Sequence, residues 1–312
     1  MKTFDFEQSL SPTFIQLTKH LTQRGWENRS SATLNLQNFN LDDRVTQTLE
    51  FKHLLAELLS SNIHPQTFYI DDENWQQVLP NIPEQIWILK PSLLNNGQHI
   101  HIFPKKADLW HHYAHSSRMG GPHVLQKYLD EPHLLKGPER GHKYSLRMFW
   151  VLTGTGHAYL YPHGYFNVAL KPYDKDNFST LGCHLTNEHL SHDTYNVIQI
   201  PTFQYALFQP FFPKILAILV EVTQQLNHRF ANIFSVSLKP QFALFGVDFL
   251  VDSEERVWLI EMNHGPCFPT TEEHPLQQKI YQGFWQALIQ DIIEPLLSQE
   301  TVMSHSFIET NH

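Results

Sequence analysis

Hydrophobic and polar residues alternate with a period of two in several segments of this 312-residue chain. This alternation predicts β-strands, whereas apolar residues that recur every three or four positions predict helices. The segments with strand patterns are 67–70, 85–90, 99–103, 123–129, 143–152, 157–170, 242–251 and 257–263. The segments with helical spacing are 13–24, 43–61, 105–115, most of 203–230, and 273–298. The pattern thus predicts a core built from both long strands and amphipathic helices.

The order of these elements indicates the fold class. Strands and helices mix without a regular βαβ alternation, which favours an α+β fold. A chain of this length suits two or three lobes that share an interface, and Pro80 and Pro83 mark the end of the first lobe. We expect the following division: a mixed N-terminal lobe at 1–84, a central lobe at 85–141, a C-terminal lobe at 142–298 and a flexible tail at 299–312.

The last pair of predicted strands brings acidic residues together. If Asp252 pairs with Val257 across the polar turn, Asp248 lies directly opposite Glu261, with the Cβ atoms about 4.5–5.5 Å apart. Asn263 shares the face of Glu261, because residues two apart on a strand point the same way. Two buried carboxylates without a cation would be costly, and Mg²⁺ takes oxygen ligands beside substrate phosphates. The hairpin therefore predicts a Mg-nucleotide site, with solvated edge residues or turn caps as the alternative.

Cationic residues on two other strands are further candidates. Lys90 ends an apolar strand and opens a loop that contains Gly97, an arrangement in which Lys and backbone N–H groups can meet phosphates. In the next long strand, alternation places Lys143, Ser145 and Arg147 on one face. Such a face could clamp anionic oxygens during phosphoryl or acyl transfer. For each strand the alternative is a solvated strand end or face.

Composition limits the partners and the compartment. The net charge of −9 argues against general attraction to nucleic acid or to an anionic membrane. Cys183 and Cys267 are too few for a disulfide framework, which fits a reducing cytoplasm. The first residues lack the apolar stretch of a secretory signal, and the apolar run 215–222 is too short to span a bilayer. We expect a cytoplasmic protein without nucleic-acid or membrane partners.

Four segments, taken in order, add a resemblance: WILKPSLLNNGQHI, VLQKYLDEPHLLKGPERGHKYSLRMFWVL, CHLTN and FGVDFLVDSEERVWLIEMNHGP. They resemble the Lys-Pro glycine loop, the hinge with its Lys–x–Asp–x–Arg strand, the His-Leu-Thr-Asn motif and the closing metal hairpin of one family. This family is the tubulin tyrosine ligase-like family of ATP-grasp enzymes, and the resemblance covers about residues 85–298. It implies an ATP-grasp fold that holds a nucleotide between the central and C-terminal lobes.

The resemblance also implies roles for individual residues. The implied ATP contacts are Lys90 at a phosphate, the adenine hinge Gln126, Lys127, Tyr128 and Leu129, and then Lys143, Thr186, Asn187 and Asp248. The implied Mg²⁺ ligands are Asp248, Glu261 and Asn263, and the implied catalytic residues are Arg147 and Glu261. In the implied reaction a carboxylate attacks the γ-phosphate of ATP to give an acyl phosphate. The amine of an amino acid then displaces phosphate and forms an amide on a protein or peptide acceptor.

Several residues depart from the pattern of the family. Ser145 replaces an acidic residue, His99 replaces the second glycine of the loop, Asn167 replaces an arginine and Lys171 replaces a glutamate. The changes at 145, 167 and 171 fall where acceptor and substrate would be recognised, so they argue against tubulin itself as the acceptor, although tubulin stays open. The alternatives are a ligase for a small carboxylate or peptide, a nucleotide-binding module without ligase activity, and an enzyme of the same fold that transfers phosphate.

Overall fold

The structure, a computed structural model, describes residues 2–6, 9–94, 97–115, 117–135, 141–191, 194–236, 240–302 and 304–311. The strands are β1 (Thr3–Asp5), β2 (Glu27–Asn28), β3 (Leu34–Asn35), β4 (Thr67–Ile70), β5 (Trp87–Pro91), β6 (His101–Phe103), β7 (His123–Lys127), β8 (Leu134–Leu135), β9 (His142–Thr153), β10 (Ala158–Ala169), β11 (His189–Ser191), β12 (Thr194–Tyr195), β13 (Val197–Pro201), β14 (Phe242–Val251), β15 (Val257–His264) and β16 (Ile308–Glu309).

Helices pack around these strands. The α-helices are α1 (Pro12–Gln23), α2 (Asp43–Glu50), α3 (Lys52–Leu58), α4 (Trp75–Asn81), α5 (Lys106–Ala114), α6 (Phe212–Arg229), α7 (Ala231–Phe234), α8 (Gln282–Ala287) and α9 (Glu294–Ser298). Short 3₁₀ turns lie at Leu36–Phe39, Leu181–Cys183, Thr202–Gln204 and Ala206–Phe208, and π-helical turns at Gln277–Tyr281 and Leu288–Ile293. The π turns flank α8, so the helical spacing at 273–298 corresponds to one helical stretch that begins at Gln277. Within the part of the chain described above, none of the helices has the length and apolarity that a membrane crossing requires.

A large antiparallel sheet forms the centre of the molecule. Its strands run in the order β13-β10-β9-β14-β15, with β8 on β9 and β16 on β10. One face packs against α2, α3 and α6, whose apolar residues share a single core cluster with the sheet. The opposite face packs against α1 and the helical stretch around α8 in a second cluster. The sheet is therefore covered on both faces, which explains why its strands are nearly continuous apolar runs.

The alternation predicted for β9 is confirmed. Tyr144, Leu146 and Met148 all lie in the core cluster beneath α6. On the other face, Phe149 lies in the second cluster, whereas Arg147 lines a cavity. That face is thus polar along the first half of the strand and apolar along the second half, beneath the C-terminal helices.

A smaller antiparallel sheet, in the order β4-β7-β5-β6, stands over the polar half of β9. Here β4, at Thr67–Ile70, pairs with β7 from Thr67↔Gln126 to Ile70↔His123. The expected boundary at residue 84 therefore cuts through a sheet and is wrong at this point. Pro80 lies inside the last turn of α4, and Pro83 follows the end of that helix. The pairing of β4 with β7 could not be predicted, because strand pairing across more than fifty residues leaves no local mark in the sequence.

Two further expectations need correction. The helix expected at 43–61 is broken at Phe51, whose backbone is extended. Ser92 explains the break, because its carbonyl accepts from the N–H of Lys52 and its hydroxyl lies 3.4 Å from the N of His53. The tail is not loose at its end either: β16 pairs with β10, and Thr310, which is fully buried, accepts from Trp150 Nε1 at 3.1 Å.

Candidate active site

A cavity of about 310 Å³ lies between the two sheets. Every site residue expected from the sequence lines it: Lys90, Gln126, Lys127, Tyr128, Leu129, Lys143, Arg147, Thr186, Asn187, Asp248, Glu261 and Asn263. The small sheet supplies one wall through β5 and β7, and the large sheet supplies the other through β9, β14 and β15. The fold therefore brings together residues that are up to 173 positions apart in the chain.

The predicted pairing of Asp248 with Glu261 is confirmed, although the register at the turn differs from the expectation. Val251, not Asp252, pairs with Val257, and Ile260 is an extra residue in β15 that shifts the register back by one. Asp252 is instead the cap of the turn, since its carboxylate accepts from the N–H groups of Glu254 and Arg256. The β-bulge, which re-aims side chains beside active sites in many sheets, is what sets Glu261 opposite Asp248.

Arg147 lies on the other side of Asp248, so three charged residues form one row across β9, β14 and β15. Its Nε and Nη2 donate to the two carboxylate oxygens of Asp248 at 2.6 Å each. Gly246 makes this possible, because a Cβ there would lie 2.8 Å from Arg147 Nη1. The bidentate geometry fixes the guanidinium rather than leaving it mobile.

The two carboxyl groups differ in their electrostatics. Burial raises the pKa of Asp248 to about 6, against the opposing effect of Arg147. Burial also disfavours the charged form of Glu261, but Lys52, Lys90 and Arg147 outweigh it and hold the pKa of that carboxyl at about 2. Glu261 is therefore the permanently charged member of the pair near neutral pH.

The donor set fits a hard cation. Asn263 Nδ2 lies 3.1 Å from Asp248 Oδ2 and 3.3 Å from Glu261 Oε1, so the amide and both carboxylates converge. Oxygen ligands of this kind suit Mg²⁺, which is held by one or two carboxylates and by substrate phosphates. Turning the Asn263 amide would present its oxygen to the ion. Among the described residues, no cluster of three or more His, Cys, Asp or Glu side chains forms a metal site.

Lys52 is a site residue that the sequence reasoning did not find. It lies at the start of α3, its Nζ donates to the carbonyl of Leu94 at 2.8 Å, and it is 3.8 Å from Glu261 Oε2. Only the break at Phe51 turns this lysine inward. A lysine that begins a helix next to an apolar Phe was the available signal, and it is a weak one.

Lys90 and Lys143 are both buried in the wall of the cavity, at 8% and 2% exposure. Lys90 Nζ donates to Gln126 Oε1 at 2.8 Å, and Lys143 Nζ donates to the hydroxyl of Tyr128 at 2.9 Å. Burial lowers the pKa of Lys90 to about 8 and that of Lys143 to about 7. Neither lysine is a solvated strand end, and both are placed to meet an anion.

These shifted lysines predict a pH dependence for anion binding. The ATP expected from the sequence would bind through its phosphates to the charged lysines, so its affinity should fall as pH rises from about 7 to 9. Each lysine that must take up a proton adds a slope of about one to log Kd against pH. The free protein should instead become more stable over this range, because the unfolded chain keeps these protons until pH 10.5.

The measurement is ATP affinity by calorimetry at several pH values between 6 and 9, in buffers of matched ionic strength. Lys143→Met should remove the inflection near pH 7 and leave the one near pH 8. An affinity that is flat across this range would show that neither lysine must be protonated for binding.

The residues of the hinge expected at Gln126–Leu129 all line the cavity. Tyr128 packs with Ile88 and Leu185 in a small apolar cluster suited to a flat ring. The hydroxyl of Tyr128 also lies 2.8 Å from His184 Nδ1, which ties the hinge to the segment before Thr186. Lys127 has an exposed side chain, so any contact with a ligand base would come from its backbone.

Two of the residues that depart from the resembled family, Ser145 and Asn167, line the cavity. Thr186 donates to the hydroxyl of Ser145 at 2.9 Å, and Gln199 Nε2 donates to Asn167 Oδ1 at 3.1 Å. Ser145 and Asn167 are cross-strand partners, so they form a neutral hydrogen-bonding part of the cavity wall. Sequence reasoning missed Gln199, which lies on a short strand without a recognisable motif.

The glycine loop has a positive φ at two positions, Gly97 and His99. Gly97 has φ +69°, and a Cβ on it would lie 3.2 Å from Asn187 Oδ1, so this position requires glycine. His99, which replaces a glycine of the family, also has a positive φ, at 52°. The loop therefore keeps a conformation that suits glycine at both positions, at some strain at His99.

Comparison with known proteins identifies related sequences. The sequence model of the Tubulin-tyrosine ligase family matches residues 8–302. The "Inactive polyglycylase TTLL10" of Homo sapiens is 25% identical over 246 residues, which are 67% of this chain and 35% of that protein. "Tubulin glycylase 3E" of Tetrahymena thermophila is 25% identical over 71% of this chain and 17% of its own length.

A shorter relative is matched over more of its length. The "Probable tubulin--tyrosine ligase C12B10.04" of Schizosaccharomyces pombe is 25% identical over 79% of this chain and 67% of that protein. The chain spans only about a third of the human relative, at 35%. Because the family model matches nearly the whole chain, from residue 8 to residue 302, the chain belongs to the Tubulin-tyrosine ligase family.

Proposed function

We propose that this protein is an ATP- and Mg²⁺-dependent ligase that forms an amide between a carboxylate on a protein or peptide and the amine of an amino acid. The observation that carries the proposal is the row Arg147–Asp248–Glu261 facing Lys52 and Lys90 across one cavity. Carboxylates beside several cations are what a metal-bound polyphosphate requires. The neutral wall at Ser145 and Asn167 then leaves room for a second substrate.

The proposed nucleotide site follows from the apolar and the charged residues that line the cavity. The apolar cluster at Tyr128, Ile88 and Leu185 takes the adenine, and Lys90 and Lys143 meet the phosphates. Asp248, Glu261 and Asn263 would hold Mg²⁺, which supplies charge neutralisation at the phosphates when bound. The charges of Lys52 and Lys90 lower the pKa of Glu261. Glu261 therefore stays ionised, the form in which a carboxylate binds a cation.

The proposed chemistry has two steps. The acceptor carboxylate attacks the γ-phosphorus, the bond to ADP breaks, and an acyl phosphate forms. The amine then attacks the acyl carbon and expels phosphate. Arg147, which Asp248 holds rigidly through two hydrogen bonds, would stabilise the negative charge that develops in each step. A preorganised guanidinium is effective there because it needs no reorganisation during the reaction.

The acceptor is proposed as a protein, because the names of the relatives describe tubulin glycylation, glutamylation and tyrosine ligation. Ser145 and Asn167 favour an acceptor other than an acidic tubulin tail, since the described wall offers neutral groups. A second candidate function is nucleotide binding without ligation. The same neutral wall favours it, as does the name of the human relative, which calls that protein inactive.

The test begins with ATP binding by calorimetry with and without Mg²⁺. Transfer of labelled amino acids to tubulin, to acidic peptides and to whole cell protein is then measured with ATP present. Label in protein together with ADP release would support the ligase. Mg-dependent binding with no ADP release under any acceptor would favour the binding module. ADP release without label in protein would direct the search to small carboxylates or phosphate transfer.

A further inference from the structure

His64 lies in the segment between α3 and β4 and is 3% exposed. Its Nδ1 lies 2.8 Å from the carbonyl oxygen of Leu259, and its Nε2 lies 3.0 Å from Gln126 Nε2. The backbone N–H of Leu259 donates to the carbonyl of Ile63 at 2.8 Å. The segment that carries His64 therefore binds β15 at Leu259, immediately before the bulge at Ile260.

The direction of each hydrogen bond in this network follows from the carbonyl groups at its two ends. A carbonyl oxygen only accepts, so His64 Nδ1 carries the hydrogen and Nε2 accepts from the Gln126 amide. Thr67 Oγ1 donates to the carbonyl of Pro65 at 2.7 Å, so it too accepts from Gln126 Nε2, at 3.0 Å. Burial lowers the pKa of His64 to about 4, which keeps the ring neutral.

Only one orientation of the Gln126 amide satisfies these partners. Its nitrogen faces the two acceptors, His64 and Thr67, and its oxygen faces Lys90 Nζ at 2.8 Å. If the amide turned over, its oxygen would face His64 Nε2, which carries no hydrogen, and the Thr67 hydroxyl, whose hydrogen is donated to Pro65. Its nitrogen would then face an ammonium. The chain of contacts thus runs from β15, which carries Glu261, through His64 and Gln126 to Lys90.

We infer that His64 is a positioning residue for the nucleotide site: it orients Gln126 so that the amide oxygen holds Lys90, and it links Lys90 to the strand that carries Glu261. The inference rests on the proposed function, in which Lys90 meets a phosphate. Because an oriented lysine loses less freedom on binding than a mobile one, the effect should be seen in nucleotide affinity. His64 itself makes no contact with the phosphates in this role.

The test compares His64→Phe, which removes both hydrogen bonds, with His64→Gln, which keeps a donor and an acceptor. Thr67→Val removes the other acceptor. His20→Phe is the matched control, because His20 is 5% exposed, packs on Trp285, and its Nε2 has no hydrogen-bond partner among the described residues. Two readouts are taken on the full chain: the ¹H–¹⁵N signal of the Lys90 ammonium without nucleotide, assigned with Lys90→Met, and ATP affinity by calorimetry.

We expect His64→Phe to shift or broaden the Lys90 signal and to weaken ATP binding about tenfold, the size of one lost hydrogen bond to a charged group. His64→Gln should restore much of both, Thr67→Val should act in the direction of His64→Phe, and His20→Phe should change neither. A Lys90 signal that is unchanged in His64→Phe overturns the inference. A Lys90 signal that depends on His64, in a wild type that does not bind ATP, supports the positioning contact and refutes the proposed function.

Discussion

Glu261→Gln is expected to abolish turnover and to remove most of the Mg²⁺ dependence of ATP binding, while the fold survives. The substitution keeps the size and shape of the side chain but removes the charge and replaces one acceptor oxygen by an NH2 group. In the wild type that charge is present at neutral pH, because Lys52, Lys90 and Arg147 lower the pKa of Glu261 to about 2 against the effect of burial. Loss of a metal ligand worth several kcal/mol corresponds to at least about a hundredfold in rate.

Two measurements are made. ATP binding is measured by calorimetry in the presence and in the absence of Mg²⁺, and turnover is measured by ADP release. Glu254→Gln is the matched control, because Glu254 is exposed in the turn of the same hairpin and its side chain does not line the cavity. The unfolding midpoint of each variant shows whether the fold is intact. If Glu261→Gln kept full turnover, or the same response to Mg²⁺ as the wild type, Glu261 would not be a metal ligand.

Arg147→Met is expected to lower the free energy of unfolding by about 3–5 kcal/mol, the usual loss when one partner of a buried ion pair is removed. Asp248 is 7% exposed, and Arg147 donates to both of its carboxylate oxygens. Without the guanidinium, a charged Asp248 would stay buried next to Glu261. The cost arises from the charge that remains, so the double variant Arg147→Met/Asp248→Asn should recover much of the loss.

The same pair predicts the effect of pH on stability. The pKa of Asp248 is raised in the folded protein, to about 6 from 3.8. This raised pKa stabilises the folded state. Its contribution to the free energy of unfolding is complete below pH 3.8 and is lost as pH rises through about 6. In Arg147→Met the pKa should rise further, so the deficit in stability should shrink as pH falls from 7 to 5.

Urea unfolding of the wild type, the single variant and the double variant at pH 5 and 7 checks both expectations. The single variant should be the least stable at pH 7. The deficit of the double variant should instead grow as pH falls to 5, because it lacks the carboxyl whose protonation stabilises the folded wild type. Equal stability of the single and double variants at pH 7 would show that Arg147 does not compensate the charge of Asp248.

Local sequence patterns determined the strands and the polar face of β9. Apolar alternation placed Tyr144, Leu146 and Met148 in the core and left Lys143 and Arg147 on the cavity side. The hairpin at the end of the chain could also be predicted, because its two apolar runs are separated by a short polar turn. The resemblance to a family then selected, from short motifs alone, a set of residues that all line one cavity.

Contacts between distant segments decided what the sequence pattern missed. Lys52 points into the cavity because Ser92 stabilises the break before α3 through two hydrogen bonds. His64 has its role because Leu259 and Gln126, from two different sheets, lie within hydrogen-bond distance of its ring. The bulge at Ile260 corrects a register that the turn at Asp252 would otherwise shift. The final strand pairs with β10 although its residues lack core periodicity.

The sequence by itself therefore determined the long strands, the family and a set of residues that line one cavity, since these depend on periodicity and on short motifs. Only the tertiary structure decided the register beside Glu261, the inward turn of Lys52 and the network from His64 to Lys90. The physical reason is that each of these depends on hydrogen bonds between residues far apart in the chain. Their partners become identifiable only when two sheets and the N-terminal segment pack around one cavity.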